Sequence, residues 1–197
     1  MIIKMAFDRF ASFTSLILLL PILFLIAILI KIRMPQDPVI FKQYRVGLHG
    51  RLFVMYKFRT MIIGHDGSSV SIAGESRITP FGAFLRKYKL DELPELWNIL
   101  KGDMSFVGPR PDVPGYADML QGEDRKILEL RPGITGPASI KYSNEEEILS
   151  NIEDPKSYND EIIFPDKVKI NLDYYSNRTF AKDLKIIFKT ILRDKST

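Results

Sequence analysis

The sequence predicts a mainly helical α+β fold that begins with a helix inserted in a membrane. Three observations carry this prediction: an uncharged apolar run over residues 10–30, a β-rich segment over 39–58, and apolar residues at helical spacing from residue 80 onward. A chain of 197 residues is close to one typical domain length of about 150 residues. We therefore expect a membrane segment at 1–33 followed by a single domain at 34–197.

The apolar run between Arg9 and Lys31 would form a helix of about 31 Å, close to the thickness of a bilayer core. A cleaved signal peptide fits poorly, because no small-residue cleavage site follows the run. Both flanks are basic, and Pro21 lies near the middle, where proline favours a sharp bend. This pattern favours a re-entrant helix-break-helix at Pro21 with both ends on the cytoplasmic face. A kinked single span remains the alternative.

The next segments are predicted from turn residues and propensity. Two β-rich runs within 39–58 flank a turn that contains Gly47 and Gly50, which predicts a β-hairpin. The polar, glycine-rich residues 64–76 are predicted to form a mobile loop.

Two helices should follow this loop. Phe81, Phe84 and Leu85 recur at helical spacing, which predicts a helix over 80–89. A second helix is expected from Asp91 to Lys101, ending at Gly102. Pro94 fits this helix only in its first turn, so Asp91 and Glu92 would lie at its N-terminus.

The remaining segments are Gly/Pro-rich loops and a C-terminal helix. Gly108–Pro114 and Arg131–Pro137 are predicted to be rigid loops without regular structure. Near the C-terminus, Leu184, Ile187, Phe188 and Ile191 share one face of an amphipathic helix whose other face is rich in lysine. That helix would lie either in a membrane interface or on a protein core, and both alternatives stay open.

The composition excludes several kinds of catalytic and metal site. The chain has no cysteine, which excludes disulfides, thiolate metal sites and cysteine nucleophiles, and its two histidines, His49 and His65, do not suit a multi-histidine centre. The formal charge is +6 over residues 31–60 and −5 over 91–130. The basic block suggests an anionic partner such as a lipid head group, a nucleotide phosphate or a nucleic acid.

The candidate site combines carboxylates with fixed cations. Asp91 and Glu92 at a helix N-terminus would be kept ionised by the helix dipole, ready to hold a divalent cation or act as a nucleophile. Arg110 lies between two prolines and is suited to binding phosphate, and Lys57 and Arg59 add further cations. From the residues alone, a purely structural capping role for the carboxylate pair is the stronger alternative.

Several long motifs in one order carry a resemblance that covers nearly the whole chain. They follow the apolar N-terminus and comprise Phe41–Gly47, Tyr56–Met61, Leu90–Pro94, Lys101–Pro111 and Arg131–Gly136. Together they resemble the bacterial sugar transferase family, the small monotopic phosphoglycosyl transferases. The resemblance implies transfer of a sugar-1-phosphate from a UDP-sugar to a polyprenyl phosphate such as undecaprenyl phosphate, releasing UMP, as the first membrane step of bacterial glycan assembly.

The resemblance also implies roles for individual residues. Asp91 corresponds to the nucleophile that forms a phosphosugar-aspartyl intermediate, and Glu92 would assist it. Both carboxylates would hold Mg²⁺, the expected cofactor. Arg110, with Lys57 and Arg59, would bind phosphates, and Arg131 is a further candidate for this role or a brace for its loop.

The partners implied are a UDP-sugar, polyprenyl phosphate and membrane lipids, with no nucleic acid and with a homodimer left open. The implied location is the bacterial inner membrane, with the catalytic domain on its cytoplasmic face. Two positions depart from the family pattern: Leu20 precedes Pro21 where serine is frequent, and Pro137 follows Gly136 where tryptophan is frequent. Two rival functions remain, a membrane-anchored module that binds anions without catalysis and a metal-dependent membrane phosphoesterase.

Overall fold

The computed structural model describes residues 2–35, 37–62 and 77–192. These residues form two compact units. The first contains residues 2–44, 54–62 and 77–102, and the second contains residues 45–53 and 103–192. The predicted loop at 64–76 lies outside the described residues. The division at residue 33 between a membrane segment and a single following domain stays a prediction.

The long N-terminal helix is confirmed. Helix α1 (Ile2–Arg33) has 32 residues, and its helical structure continues through Pro21, so the predicted break of the helix at this proline is not seen. An 18-residue window within α1 reaches a mean hydropathy of 3.0, and α1 is the one helix among the described residues that is long and apolar enough to cross a membrane. The re-entrant path stays a prediction.

The predicted β-hairpin is also confirmed. Strands β1 (Ile40–Val46) and β2 (Leu52–Phe58) are hydrogen-bonded neighbours in a two-stranded sheet. A 3₁₀ turn at Leu48–Gly50 joins them, and His49 and Gly50 have positive φ angles of 57° and 78° within it. The short connection sets which residues of β2 lie beside the next helices.

Helices α2 (Pro80–Lys87) and α3 (Glu95–Lys101) follow in the first unit. At the start of α2, the Thr79 hydroxyl accepts a hydrogen bond from Gly82 N at 2.9 Å, and Pro80 occupies the first helical position, where it has no N–H to leave unsatisfied. At the end of α3, Gly102 adopts a φ of +91°, as expected of a left-handed C-cap.

The predicted helix from Asp91 was wrong at its beginning. Asp91 and Glu92 lie in a separate 3₁₀ turn, Leu90–Glu92, which precedes α3. The chain reverses at Lys89, whose φ is +57°, and successive backbone bonds from Glu92 to Lys89 and from Leu93 to Leu90 span three residues rather than four. The carboxylate pair is therefore outside the α-helix.

The hydrophobic core of the first unit joins α1 to the hairpin and to α2. Its buried side chains are Ile26, Ile30, Met34, Phe58 and Leu85. Leu90 and Leu93, which flank the carboxylate pair, pack against this core. Burial of these flanking leucines fixes the turn that carries Asp91 and Glu92.

The second unit contains a parallel strand pair that sequence reasoning missed. Strands β3 (Ser105–Val107) and β4 (Gly133–Thr135) pair in parallel, Ser105 with Gly133 and Val107 with Thr135. The expectation of a loop without regular structure over Arg131–Pro137 was therefore wrong. Short strands lacking alternation give no periodic signal, and their pairing depends on a distant part of the chain.

Five helices complete the described part of the second unit: α4 (Pro137–Lys141), α5 (Glu145–Ser150), α6 (Pro155–Tyr158), α7 (Phe164–Asn177) and α8 (Phe180–Leu192). A π-helical turn at Asn159–Ile163 joins α6 to α7. Helix α8, the predicted C-terminal helix, packs against β3 and β4. The core of this unit comprises Val46, Ala117, Ile127, Leu128 and Val168.

Candidate active site

The carboxylate pair is held almost completely out of solvent in the first unit. Asp91 and Glu92 are each 7% exposed, although they lie in a short turn between α2 and α3. Buried carboxylates destabilise a protein unless cations or hydrogen-bond donors lie nearby. Their surroundings therefore indicate what the pair is arranged to do.

Lys57, near the end of β2, contacts two carboxylates. Its Nζ donates a hydrogen bond to Glu92 Oε1 at 3.0 Å and lies 3.2 Å from Glu95 Oε1. Sequence reasoning expected Lys57 to bind phosphate, and the structure brings it to the predicted Glu92. Glu95, which sequence reasoning did not single out, completes this ion-pair group.

Asp91 has a buried oxygen with no hydrogen-bond partner. Its Oδ1 is inaccessible to solvent and accepts no hydrogen bond from the residues that the structure describes. A buried polar atom without a partner requires an explanation, and a ligand that contacts it is one such explanation. Asp91 Oδ1 is therefore a candidate for contact with a ligand; Glu95 Oε1 likewise accepts no hydrogen bond from the described residues, but it has the Lys57 ammonium 3.2 Å away.

The electrostatic environment of Asp91 differs from the one expected at a helix N-terminus. Burial raises the pKa of the Asp91 carboxyl above its ordinary value, and the neighbouring charge of Glu92 raises this pKa further. The positive charges of Lys57, Lys89 and Arg86 act in the opposite direction. Because α3 begins only at Glu95, these cations, rather than the first turn of an α-helix, are what favour the ionised form of Asp91.

An amide on α3 fixes the strand that carries Lys57. Asn98 is fully buried; its Oδ1 accepts a hydrogen bond from Tyr56 N at 3.1 Å, and its Nδ2 donates one to Val54 O at 2.7 Å. Glu95 and Asn98 are three residues apart, so they share a face of α3. Their spacing was visible in the sequence, but the strand that this face contacts was not.

Arg59 braces the segment before β1. Its Nε donates a hydrogen bond to Pro38 O at 2.7 Å, and its guanidinium lies over the Phe41 ring, 5.7 Å from the ring centroid. Arg59 is buried. Its predicted contact with phosphate stays a prediction.

The other two predicted cations, Arg110 and Arg131, belong to the second unit. Their loops lie side by side, because Gly133 N donates a hydrogen bond to Pro109 O at 2.8 Å. Arg110 lines a cavity of about 20 Å³, enough for a single water molecule and far too small for a nucleotide. The phosphate-binding roles of both arginines stay predictions.

Asp112 follows Arg110 by two residues and was also missed. Burial raises the pKa of its carboxyl to about 6, although Lys167, Arg45 and Arg110 oppose this shift. Nothing in its sequence environment distinguishes it from an exposed aspartate. Only its burial in the folded structure distinguishes Asp112.

The carboxylates of the site determine whether it can hold a divalent cation. Across residues 2–35, 37–62 and 77–192, no group of three His, Cys, Asp or Glu side chains has a spacing suited to a metal ion. Mg²⁺, however, is typically bound by one or two carboxylates together with substrate phosphates. The adjacent Asp91 and Glu92 carboxylates would supply such ligands, so the site fits Mg²⁺ bound together with a phosphate substrate.

Comparison with known proteins places the chain in a family. The family model described as bacterial sugar transferase matches residues 1–194. The chain is 38% identical over 196 residues to a protein of Bacillus subtilis strain 168 named uncharacterized sugar transferase EpsL, with coverage of 97% of this chain and 86% of that protein.

Two further relatives carry more specific names. The chain is 34% identical over 193 residues to the UDP-glucose:undecaprenyl-phosphate glucose-1-phosphate transferase of Caulobacter vibrioides, covering 95% of this chain and 68% of that protein. It is 34% identical over 196 residues to the UDP-N-acetylgalactosamine-undecaprenyl-phosphate N-acetylgalactosaminephosphotransferase of Aeromonas hydrophila, of which it spans only 43%. The chain belongs to the bacterial sugar transferase family, and it is an enzyme of the transferase class.

Proposed function

We propose that this enzyme transfers a sugar-1-phosphate from a UDP-sugar to undecaprenyl phosphate, giving a lipid-linked sugar diphosphate and UMP. The observation that carries the proposal is the buried, unpartnered oxygen of Asp91 beside the Lys57–Glu92 ion pair. The names of the Caulobacter and Aeromonas relatives support these two substrates.

The reaction proceeds in two displacements. An Asp91 carboxylate oxygen attacks the β-phosphorus of the UDP-sugar, the bond from that phosphorus to the bridging oxygen breaks, and UMP leaves with the bond electrons. A phosphate oxygen of undecaprenyl phosphate then attacks the same phosphorus and releases the Asp91 carboxylate. Covalent catalysis of this kind divides one difficult transfer into two easier steps.

Burial serves the first displacement. A carboxylate that has already lost its hydration reaches phosphorus without stripping water from the reacting oxygen, and the absence of a hydrogen bond on Oδ1 leaves a lone pair available. Glu92, held by Lys57, assists from the adjacent position. Asp91 and Glu92 are the residues that would hold Mg²⁺, which offsets the charge that develops as UMP leaves.

The contacts of α1 support a re-entrant path. Near its N-terminal end, the Arg9 guanidinium lies against Gly102 at the end of α3; near its C-terminal end, Ile26 and Ile30 pack with Leu85. Both ends of α1 therefore contact the same unit, which a helix passing straight through a bilayer would not allow. Between them, α1 exposes large apolar side chains: Phe13, Ile17, Leu18, Leu20, Phe24 and Leu25.

Helix α8 supports a position on an anionic membrane surface. Phe188, Ile191 and Leu192 remain exposed, with Phe188 exposed by 63%. The exposed lysines Lys182 and Lys185 lie on the same helix and would reach lipid head groups. We place the enzyme at the inner membrane, with its catalytic residues on the cytoplasmic side, where UDP-sugars are made.

The proposal is tested by incubating the purified full chain in detergent with Mg²⁺, undecaprenyl phosphate and each of a panel of UDP-sugars. We expect one or a few UDP-sugars to yield UMP and lipid-linked sugar diphosphate in equal amounts. Asp91→Asn should lower this turnover by at least about a thousandfold, because an amide oxygen is a poor nucleophile.

The other possible outcomes would indicate a different function or refute the role of Asp91. Free sugar phosphate without lipid product would indicate a phosphoesterase. Binding of anionic lipid without turnover of any UDP-sugar would indicate a module that is not catalytic. Normal turnover by Asp91→Asn would refute the role of Asp91 while leaving the overall reaction in place.

A further inference from the structure

Glu95 is the least exposed carboxylate of the site. It is 1% exposed and lies in the first turn of α3, four residues after Asp91. A buried carboxylate costs several kcal/mol unless a cation or donor compensates it, so its position beside an ammonium has an energetic cause. The ammonium is that of Lys57, 3.2 Å from Glu95 Oε1, an ion-pair contact in which this oxygen accepts no hydrogen bond from the residues that the structure describes.

The backbone that carries Lys57 is fixed by the same face of α3. Asn98 bonds the N–H of Tyr56, the residue immediately before Lys57, and also bonds Val54 O. Asn98 thereby fixes the root of the lysine side chain, and Glu95 fixes its tip. The lysine is held at both ends by α3.

The tip of Lys57 is shared with Glu92, to which it donates a hydrogen bond at 3.0 Å. Its positive charge also acts on Asp91. The positive charge of the ammonium therefore acts on three carboxylates, and the ammonium contacts two of them, those of Glu92 and Glu95. Asp91 Oδ1 accepts no hydrogen bond from the described part of the chain.

We infer that Glu95 is a positioning residue for the proposed transfer: it holds the Lys57 ammonium on Glu92 and so leaves Asp91 free to attack. This inference rests on the proposed function. Without an oxygen at this position, the ammonium loses one of its two ion-pair contacts and turns toward Asp91, whose nucleophilic lone pair it then occupies. Turnover falls although the substrate-binding groups are unchanged.

The test uses three substitutions of Glu95 in the full chain. Glu95→Met has similar length and no oxygen, Glu95→Gln keeps an oxygen acceptor, and Glu95→Asp keeps the charge but is one methylene shorter. Val168→Ala is the control, since it opens the core of the second unit and destabilises the protein without touching this site. The readouts are the thermal unfolding midpoint and the kcat and KM of UMP release.

We expect Glu95→Met and Glu95→Asp to lower kcat by about 10- to 100-fold, with the KM for the UDP-sugar within about twofold of the wild-type value. Glu95→Gln should keep at least about a third of the wild-type kcat, because its amide oxygen still receives the ammonium. Val168→Ala should lower the unfolding midpoint and leave kcat unchanged.

The inference is overturned if Glu95→Met keeps the wild-type kcat, or if Val168→Ala loses kcat to the same extent at the same unfolding midpoint. If Glu95→Met does not fold, the comparison of Glu95→Asp with Glu95→Gln decides. A lower kcat in Glu95→Asp together with a retained kcat in Glu95→Gln supports positioning. Equal retention of kcat by both variants contradicts it. A wild-type enzyme that turns over no UDP-sugar refutes the proposed function instead.

Discussion

Burial raises the pKa of two individual carboxyl groups, one in each unit. The pKa values of Asp91 and Asp112 are both raised, and in both cases desolvation is the largest cause and nearby cations oppose it. For Asp91 this environment serves the proposed nucleophile. For Asp112, the consequence is a dependence of stability on pH.

The folded pKa of Asp112 is about 6, above the value of about 3.9 expected in an unfolded chain. As pH rises from 4 to 6, the unfolded chain releases this proton while the folded chain retains it, so the stabilisation present at low pH is lost. We expect Asp112→Asn to remove this fall in the free energy of unfolding with rising pH. The fall is worth about 1–2 kcal/mol after allowance for solvent screening.

The measurement is the thermal unfolding midpoint of Asp112→Asn and of wild type in detergent, at pH 4.5 and at pH 7.5. The other titrating groups are common to both proteins, so the variant should gain stability relative to wild type on going to the higher pH. A variant that instead loses stability relative to wild type at pH 7.5 would show that Asp112 is stabilised as an anion.

Single residues of the site were partly predictable. The family resemblance singled out Asp91 and Glu92, whereas the residues alone favoured a structural capping role, and the catalytic roles of the pair stay a prediction. Glu95 and Asn98 escaped prediction because a helical spacing of three shows that two residues share a face but not which strand that face meets. The burial that raises the pKa of Asp91 was not predictable from the sequence, since burial depends on packing.

At the level of elements, glycines decide how β3 and β4 come together. A Cβ at Gly108 would lie 2.1 Å from Arg131 O, and one at Gly136 would lie 2.3 Å from Gly108 O. Real Cβ atoms do not approach backbone oxygens so closely. The two loops that carry Arg110 and Arg131 can therefore be adjacent only while these positions lack side chains.

Gly108→Ala should destabilise the enzyme by at least about 2–3 kcal/mol, because the new methyl group meets backbone that has no flexible side chain to move aside. Gly122→Ala is the matched control. Its φ is positive, at +56°, and among the described residues no atom lies within 4 Å of its added Cβ, so we expect a cost of about 1 kcal/mol. Unfolding midpoints measure both, and equal midpoints would contradict the close approach.

The hairpin, α2, the end of α3 and α8 were predicted because each has a local signal: a glycine turn, apolar residues at helical spacing, a C-cap glycine or an amphipathic period. The beginning of α3 and the strand pair of β3 and β4 were not. They are set by a left-handed Lys89 and by pairing across more than twenty residues, and no local pattern encodes either.

For the whole molecule, the re-entrant path of α1 makes a topological prediction. The chain has no cysteine, so single cysteines introduced at Ile2 and at Glu123 report their own positions. Both side chains are exposed, Ile2 by 84%. We expect both cysteines to react with a membrane-impermeant maleimide in inverted membrane vesicles and neither to react in intact cells.

Labelling of the Ile2 position from outside intact cells, with Glu123 still protected, would instead establish a single span. Unreactive Ile2 in both preparations would place the N-terminus within the bilayer. Either result would refute the re-entrant path without bearing on the chemistry at Asp91.

The central claim is that Asp91 carries the sugar phosphate between donor and acceptor. It is tested most directly by mixing wild type with its UDP-sugar, Mg²⁺ and no undecaprenyl phosphate, quenching within seconds, and measuring the intact mass and the modified peptide. We predict a burst of UMP approaching one per enzyme, a mass gain of one sugar phosphate, and its location on the peptide containing Asp91. Full turnover with acceptor but no adduct at Asp91 in wild type would contradict the account.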